Sequence, residues 1–182
     1  MLYFLAIGIA FLFMEIAFMQ KFILFLHHPL YSFAVTLSVF LVFAGLGSYF
    51  TARLSATMSR QRILLVSISG IVVIGLAYIL LLGDLFSWLS AIPLLSKIVV
   101  TILLSAPLAL LMGMPFPLAL SVLSSHAREL VPWAWGINGC ASVISASLAT
   151  LLAIHFGFST VIVIAVCLYL AVVFLYPRVV NV

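Results

Sequence analysis

Residues 2–26 read LYFLAIGIAFLFMEIAFMQKFILFL, an apolar stretch of 25 residues that contains a single acid, Glu15. A helix needs roughly 20 mostly apolar residues to cross the hydrocarbon layer of a membrane. The stretch has neither a basic leader nor a small-residue cleavage pattern, so it differs from a removable signal peptide. It therefore predicts a membrane-spanning helix.

The composition of the whole chain has the same character. Hydrophobic residues make up 68% of the 182 positions and charged residues 5%, whereas soluble domains are about half apolar and a quarter charged. Too few polar residues exist to cover a surface exposed to water, so lipid must surround the fold. The formal net charge is +4, but the cations are scattered. This pattern argues against a nucleic acid partner and is typical of a membrane orientation signal.

Six segments meet or nearly meet the length and hydropathy of a membrane span. They predict one all-α transmembrane domain over residues 1–182, a bundle of about six helices. Helix-breaking residues separate the segments, as in the HHP sequence at 27–29. The predicted spans are residues 2–26, 31–52, 63–82, 98–123, 133–155 and 160–176.

Residues 85–96 connect the third and fourth predicted spans. They contain Trp88 and Pro93 among apolar residues. Because indole side chains favour the headgroup level of a bilayer, we expect this stretch to lie along the membrane surface.

Positive charges are divided unevenly between the two ends of the predicted spans. If the spans alternate in direction, five arginines share a side with the N-terminus: Arg53, Arg60, Arg62, Arg128 and Arg178. Only Lys21 and Lys97 fall on the other side. Positively charged loops tend to stay in the cytoplasm. The sequence therefore predicts a multi-pass protein of the cell membrane with both termini in the cytoplasm.

Glu15 is the strongest single candidate for a functional residue. It lies about 20 Å along the helix from residue 2, near the middle of the first span. An ionised acid there costs on the order of 3 kcal/mol, so its side chain should face the bundle interior or be protonated. It is either a proton or cation site or an acid that neighbouring polar groups satisfy for packing. Gln20, a second binding candidate, and Lys21 point about 140° and 120° away from it.

The fourth span contains MGMPFPLAL at residues 112–120. Pro115 and Pro117 each remove a main-chain donor, which predicts a broken helix and under-satisfied carbonyls at Leu111 and Gly113; Pro107 does the same for Leu103. Exposed carbonyls at membrane depth can bind a cation or a polar substrate. Gly113, Pro115 and Pro117 are therefore binding candidates, with a purely structural kink as the alternative.

The fifth span is rich in small residues over 132–149, PWAWGINGCASVISASLA. Four of them recur at helical spacing: Asn138, Ser142, Ser145 and Ala149. They form a narrow polar seam on which another helix can pack closely, and Gly139 belongs to the same packing prediction. Asn138 is also a candidate to hydrogen-bond Glu15 or a ligand.

Other small residues are expected to serve packing as well. Gly45, Gly47 and Ser48 indicate a close helix contact in the second span. Cys140 and Cys167 lie in apolar stretches, which predicts buried packing residues and not a disulfide.

Motifs for catalysis, metals and cofactors are absent from the sequence. It contains no CxxC, no HExxH, no acidic pair at metal-ligand spacing, no glycine-rich phosphate loop and no GxSxG. We therefore predict no metal, no cofactor and no catalytic residue, and expect that the chain is not an enzyme by itself. His28 and His155, which fall at the same predicted membrane face, are weak candidates for a haem pair; ordinary interfacial side chains are the alternative.

Three blocks of the sequence, in this order, are similar to a known family: MEIAFMQKFILFLHHPLYSFAVTLSVFLVFAGLGSYF, MGMPFPLAL and PWAWGINGCASVISASLATLLAIHFGFS. Together they resemble the membrane-spanning region of spermidine synthase-like (polyamine aminopropyltransferase-like) integral membrane proteins. The family pattern has a glycine where His27 stands. The matching positions are Glu15, Gln20, His28, Pro29, Tyr31, Gly45, Gly47, Pro115, Pro117, Trp133, Trp135, Asn138 and Gly139.

The resemblance implies a function in partnership. In that family the membrane region commonly accompanies a soluble domain that uses S-adenosylmethionine or its decarboxylated form, and no residue here matches the nucleoside site or catalytic Asp of such a domain. We expect a non-catalytic membrane domain that anchors or serves a separately encoded catalytic or redox partner and handles a small cationic or polar substrate. The alternatives are an independent homodimeric transporter of polyamines or similar solutes, and a structural subunit of a larger membrane assembly.

Overall fold

Seven α-helices and one turn of 3-10 helix make up the described part of the chain. The structure, a computed structural model, describes residues 1–180 without the side chains of Pro177, Arg178 and Val180. Its elements are α1 (Leu2–Leu26), α2 (Pro29–Leu54), α3 (Arg60–Trp88), α4 (Leu94–Met112), α5 (Pro115–His126), the 3-10 turn (Arg128–Leu130), α6 (Val131–Phe156) and α7 (Phe158–Val180). Six apolar helices are long enough to cross a membrane when α4 and α5 are counted together. The predicted all-α bundle of about six spans is confirmed.

The turn between α1 and α2 follows from the residues at 27–29. His27 has φ 57°, in the left-handed region, and its N–H donates to the carbonyl of Ile23 at 3.0 Å, which closes the last turn of α1. This conformation is common just after a helix but favours glycine. Pro29 is the first residue of α2, where its missing N–H is not needed.

The fourth span is interrupted at Gly113 and Met114, between α4 and α5. Pro115 is the first residue of α5, so the predicted break beside the proline pair is confirmed. The N–H of Met114 donates to the carbonyl of Leu111 at 3.2 Å, which satisfies an oxygen that we expected to be free. Pro107 lies inside α4 without ending it.

The prediction of a surface-lying segment at residues 85–96 is wrong. α3 continues through Trp88 and α4 begins at Leu94, so only a short turn separates them. The apolar residues after residue 82 continue the buried face of α3: the ring of Phe86 stacks on Phe25 with centroids 4.5 Å apart. Trp88 is exposed at the end of the span.

α1 is the central helix of the bundle. Of the 18 consecutive residues that make up the most apolar part of α1, 67% are buried. The corresponding fraction in the other spans is 22% to 33%. It packs against α2, α4, α6 and α7. Its aromatic side chains fill the spaces between these neighbours, since Phe18 contacts both Phe40 of α2 and Tyr78 of α3. Glu15, near the middle of α1, is therefore enclosed by protein.

The outer faces of the other helices are apolar, as expected for a surface in lipid. Leu80, Val143 and Phe174 are each at least 75% exposed. Cys140 and Cys167 are also exposed and unpaired in the described residues, so the prediction that they are buried is wrong. An apolar neighbourhood in the sequence does not indicate burial when the surroundings of the protein are themselves apolar.

Candidate functional site

Glu15 lies near the middle of α1 and is 4% exposed. Its Oε1 has no hydrogen-bond partner among the described residues. Phe11 and Phe18, one turn to either side of it, both pack against Phe40 of α2. Glu15 therefore belongs to the side of α1 that faces α2, where its carboxyl group is enclosed and its Oε1 lacks a hydrogen-bond partner in the described chain.

The hairpin of α1 and α2 places a second unpartnered group opposite Glu15. The hydroxyl of Ser32 donates to the main-chain carbonyl of Met19 at 2.9 Å, which fixes the register of the two antiparallel helices. One turn further from the hairpin, Thr36 follows Ser32 while Glu15 precedes Met19. Thr36 is fully buried, and its Oγ1 has no hydrogen-bond partner in residues 1–180.

α1 and α6 run parallel, with a constant register between them. A Cβ placed on Gly8 would lie 2.7 Å from the carbonyl oxygen of Asn138, and Gln20 Nε2 donates to Thr150 Oγ1 at 3.4 Å. Gln20 thus reaches α6 and not Glu15. The same register places Ser145 at the level of Glu15, but the Ser145 hydroxyl is already used because it donates to the carbonyl of Ala141.

Asn138 lines a cavity of about 260 Å³ between α1, α6 and the break of the fourth span. Its Oδ1 is buried and lacks a hydrogen-bond partner in the described residues. The wall residues are Ile7, Gly8, Phe11, Leu12, Met112, Phe116, Asn138 and Ser142. Since Asn138 packs against Gly8, it lies two turns, or about 10 Å, from Glu15 along the axis of α1. The predicted hydrogen bond between Asn138 and Glu15 does not form, and each oxygen is left without a partner.

The broken helix contributes walls to this cavity, and its proposed binding residues have other contacts. Gly113 lies against the backbone of Ala44 in α2, so it is a packing residue. The carbonyl of Pro115 accepts a hydrogen bond from the hydroxyl of Tyr3 at 2.9 Å. Pro117 follows as the third residue of α5 and is not among the cavity-lining residues.

The small residues divide between helix contacts and the outer surface. Gly47 lies against the carbonyl of Leu110 in α4, whereas the space that a Cβ would occupy at Gly45 and Gly139 is open, with no other atom of the described chain within 4 Å. The close contact predicted for the second span is therefore made by Gly47 and not by Gly45. Ser48, half-buried, lies next to Gly47 in α2.

No haem or metal pocket forms around the histidines in the described residues. His28 and His155 are both exposed, and residues 1–180 contain no group of three or more His, Cys, Asp or Glu side chains that could hold a metal ion.

In the three comparisons with known proteins, no family model, curated protein or solved structure matches this chain. The resemblance to the spermidine synthase-like membrane proteins therefore stays a prediction.

Sequence reasoning found Glu15 and Asn138 but missed the hydroxyl groups that share their surroundings. Thr36 and Ser105 are fully buried and unpartnered in the described chain. Ser and Thr in membrane helices usually donate to the carbonyl one turn earlier, as Thr51 does to Gly47 at 2.8 Å. Only the arrangement of the helices distinguishes the two unpartnered groups from such ordinary ones.

Proposed function

We propose that this chain is a membrane domain that binds a small polar or cationic solute in the cavity between α1, α6 and the break of the fourth span. One observation carries the proposal: two buried acceptor oxygens, Asn138 Oδ1 at the cavity and Glu15 Oε1 two turns along α1, lack partners among the described residues. Buried polar atoms without partners cost free energy. A ligand that hydrogen-bonds to both would recover it.

The chemistry of the two oxygens selects the ligand. Both are acceptors, so the ligand must donate hydrogen bonds, and the carboxylate of Glu15 favours a positive charge. Amines meet both requirements. A short polyamine, whose ammonium groups are joined by methylene chains, is long enough to extend from Asn138 to Glu15, about 10 Å along the axis of α1. Its methylenes would lie against Phe11 and Leu12, which line the cavity. The resemblance to spermidine synthase-like membrane proteins supports the same class of solute.

Equilibrium binding of radiolabelled spermidine and putrescine to the detergent-purified chain tests this proposal. We expect saturable binding that Asn138→Leu and Glu15→Gln each weaken about tenfold or more, because each removes a charged or polar contact worth at least about 1.4 kcal/mol. Thr150→Val is the matched control, since its hydroxyl donates to Ala146 in α6. Absence of saturable binding, or equal binding by Asn138→Leu, would contradict the proposal.

Such a site could operate in a membrane domain that serves a separately encoded partner, or in a homodimeric transporter. Native mass spectrometry of the protein purified in mild detergent separates them: a second polypeptide supports the partner, and a mass of two chains supports the homodimer. Uptake of radiolabelled amine into liposomes then decides whether the bound solute also crosses the membrane. Uptake that Glu15→Gln abolishes would support transport.

A further inference from the structure

Three buried oxygens without hydrogen-bond partners in the described chain lie at the level of Glu15. They are Glu15 Oε1 on α1, Thr36 Oγ1 on α2 and Ser105 Oγ on α4. The exposed fraction of Glu15 is 4%, and that of Thr36 and Ser105 is zero. The hairpin register set by Ser32 and Met19 already places Thr36 opposite Glu15.

Two independent contacts place Ser105 at the same level. α4 and α5 run antiparallel to α1: the Lys97 ammonium lies 5.4 Å from the ring centre of Phe25, and the rings of Phe116 and Phe4 lie 5.6 Å apart. Interpolation between these two contacts brings Ser105 level with Glu15.

The contacts between α2 and α4 give a compatible result. These helices run parallel, with Gly113 against Ala44 and Gly47 against Leu110. The first contact pairs Ser105 with Thr36 and the second pairs it with Val42, so Ser105 lies level with this stretch of α2. The helix contacts therefore place all three groups in the middle part of the bundle.

The hydroxyls around these three groups behave differently. Thr101, one turn before Ser105 on the same buried face, donates to the carbonyl of Lys97 at 2.9 Å. Ser32, one turn before Thr36, donates to Met19, and Ser145 donates to Ala141. Thr101 and Ser145 show that a Ser or Thr in a helix can donate to the carbonyl four residues earlier. Thr36 and Ser105 make no such hydrogen bond in the described chain, although both lie near the level of Glu15. This indicates that their oxygens are available to a ligand.

We infer that Glu15, Thr36 and Ser105 form a binding site for a monovalent alkali cation, Na⁺. The three groups offer only oxygen ligands, which suit hard cations. One carboxylate balances one positive charge, whereas a divalent ion would leave an uncompensated charge in the hydrocarbon layer. A small ion needs less space between the packed helices α1, α2 and α4 than an organic cation does, and ion sites at mid-membrane depth are typical of proteins that move solutes. The site is complete without the solute cavity, so the inference does not depend on the proposed solute.

Thermal unfolding of the full chain in detergent, followed by the circular dichroism of its helices, tests the site. NaCl is compared with choline chloride and KCl at constant ionic strength and constant pH, without amine. A ligand that binds only the folded state stabilises it, so we expect the midpoint to be about 5 °C higher in saturating Na⁺ than in choline. An equal midpoint in Na⁺ and choline would overturn the inference. If a second series in choline at different pH values then shifted the midpoint, a proton and not Na⁺ would occupy the site.

Variants assign the effect to the three residues. Thr36→Val and Ser105→Ala keep the shape of the site and should each abolish the Na⁺ shift. Thr36→Ser, which retains the hydroxyl, and Thr101→Val, which removes a hydroxyl that is already hydrogen-bonded, should keep it. A Na⁺ shift that survives in both Thr36→Val and Ser105→Ala would place the ion elsewhere and refute the site.

Discussion

Gly47 of α2 lies directly against the main-chain carbonyl of Leu110 in α4. On the other side of the crossing, Gly113 stands in the same relation to the carbonyl of Ala44. The two helices thus approach backbone to backbone, which only small residues permit. This crossing sets the register of α2 and α4 and therefore the height of Ser105 relative to Thr36.

Gly47→Ala should lower the free energy of unfolding by about 2 kcal/mol, because the added methyl group would overlap a carbonyl that cannot move. Reversible unfolding in mixed detergent micelles measures the change. Gly45→Ala is the matched control: its Cβ would enter open space, and its expected effect is a small gain from the higher helix propensity of alanine. Equal losses in the two variants would show that the crossing is not the cause.

Tyr3→Phe should destabilise the fold by about 1 kcal/mol, because the hydroxyl of Tyr3 donates to the carbonyl of Pro115 at 2.9 Å in a buried setting. The neighbouring ring of Tyr176 lies 6.0 Å away, and its hydroxyl has no partner among the described residues. Tyr176→Phe should therefore leave stability unchanged or increase it. The same micelle unfolding measurement compares them, and a greater loss for Tyr176→Phe would contradict this assignment.

His27→Gly should increase stability by about 1 kcal/mol. His27 has φ 57°, a conformation that is unfavourable for residues with a Cβ and free of that penalty for glycine. His27→Ala keeps the Cβ and should bring no gain. Unfolding midpoints of the two variants check the prediction, which fails if alanine and glycine stabilise equally.

Na⁺ and amines should compete, because both require the carboxylate of Glu15. We expect the apparent dissociation constant of spermidine to rise with Na⁺ concentration in the unaltered chain. In Thr36→Val the amine should still bind while the Na⁺ dependence disappears. Binding isotherms at fixed ionic strength measure both effects, and amine affinity that is independent of Na⁺ would show that the two ligands do not share Glu15.

The side of the membrane on which each end of the bundle lies can be determined by cysteine labelling. In a Cys140→Ala, Cys167→Ala background, Thr57→Cys lies in the turn between α2 and α3, and Ala91→Cys lies in the turn between α3 and α4. The arginine distribution predicts that a membrane-impermeant maleimide added outside intact cells labels residue 91 and not residue 57. The opposite pattern would place the termini outside.

The sequence predicted the helices more accurately than it predicted their contacts. The first span, 2–26, matches α1 residue for residue because the HHP sequence supplies both a left-handed end and a proline start. The third span was predicted to end at residue 82, six residues before α3 ends at Trp88. Aromatic residues near the end of a span suggest the membrane interface whether or not the helix continues through them. A helix end can be predicted from the sequence where local residues mark it, as at 27–29.

The grouping of Glu15, Thr36 and Ser105 could not be predicted from any local pattern in the sequence. Glu15 was identifiable because an acid in the middle of an apolar span is rare. The role of Thr36 depends on a register fixed by Ser32 and Met19, and that of Ser105 depends on the approach of Gly113 to Ala44. Such relations arise from packing between helices that are distant in the sequence.

The enclosure of α1 has a consequence for biogenesis. α1 precedes its neighbours α6 and α7 in the chain, so during synthesis it enters the bilayer before the helices that will cover it. Glu15 faces lipid or the insertion machinery until α2 follows, whereas the sides of α1 that contact α6 and α7 stay uncovered until the end of synthesis. Assembly of the bundle must therefore finish around a helix that was inserted early, and the acid at its centre should lengthen the stay of α1 beside the translocon.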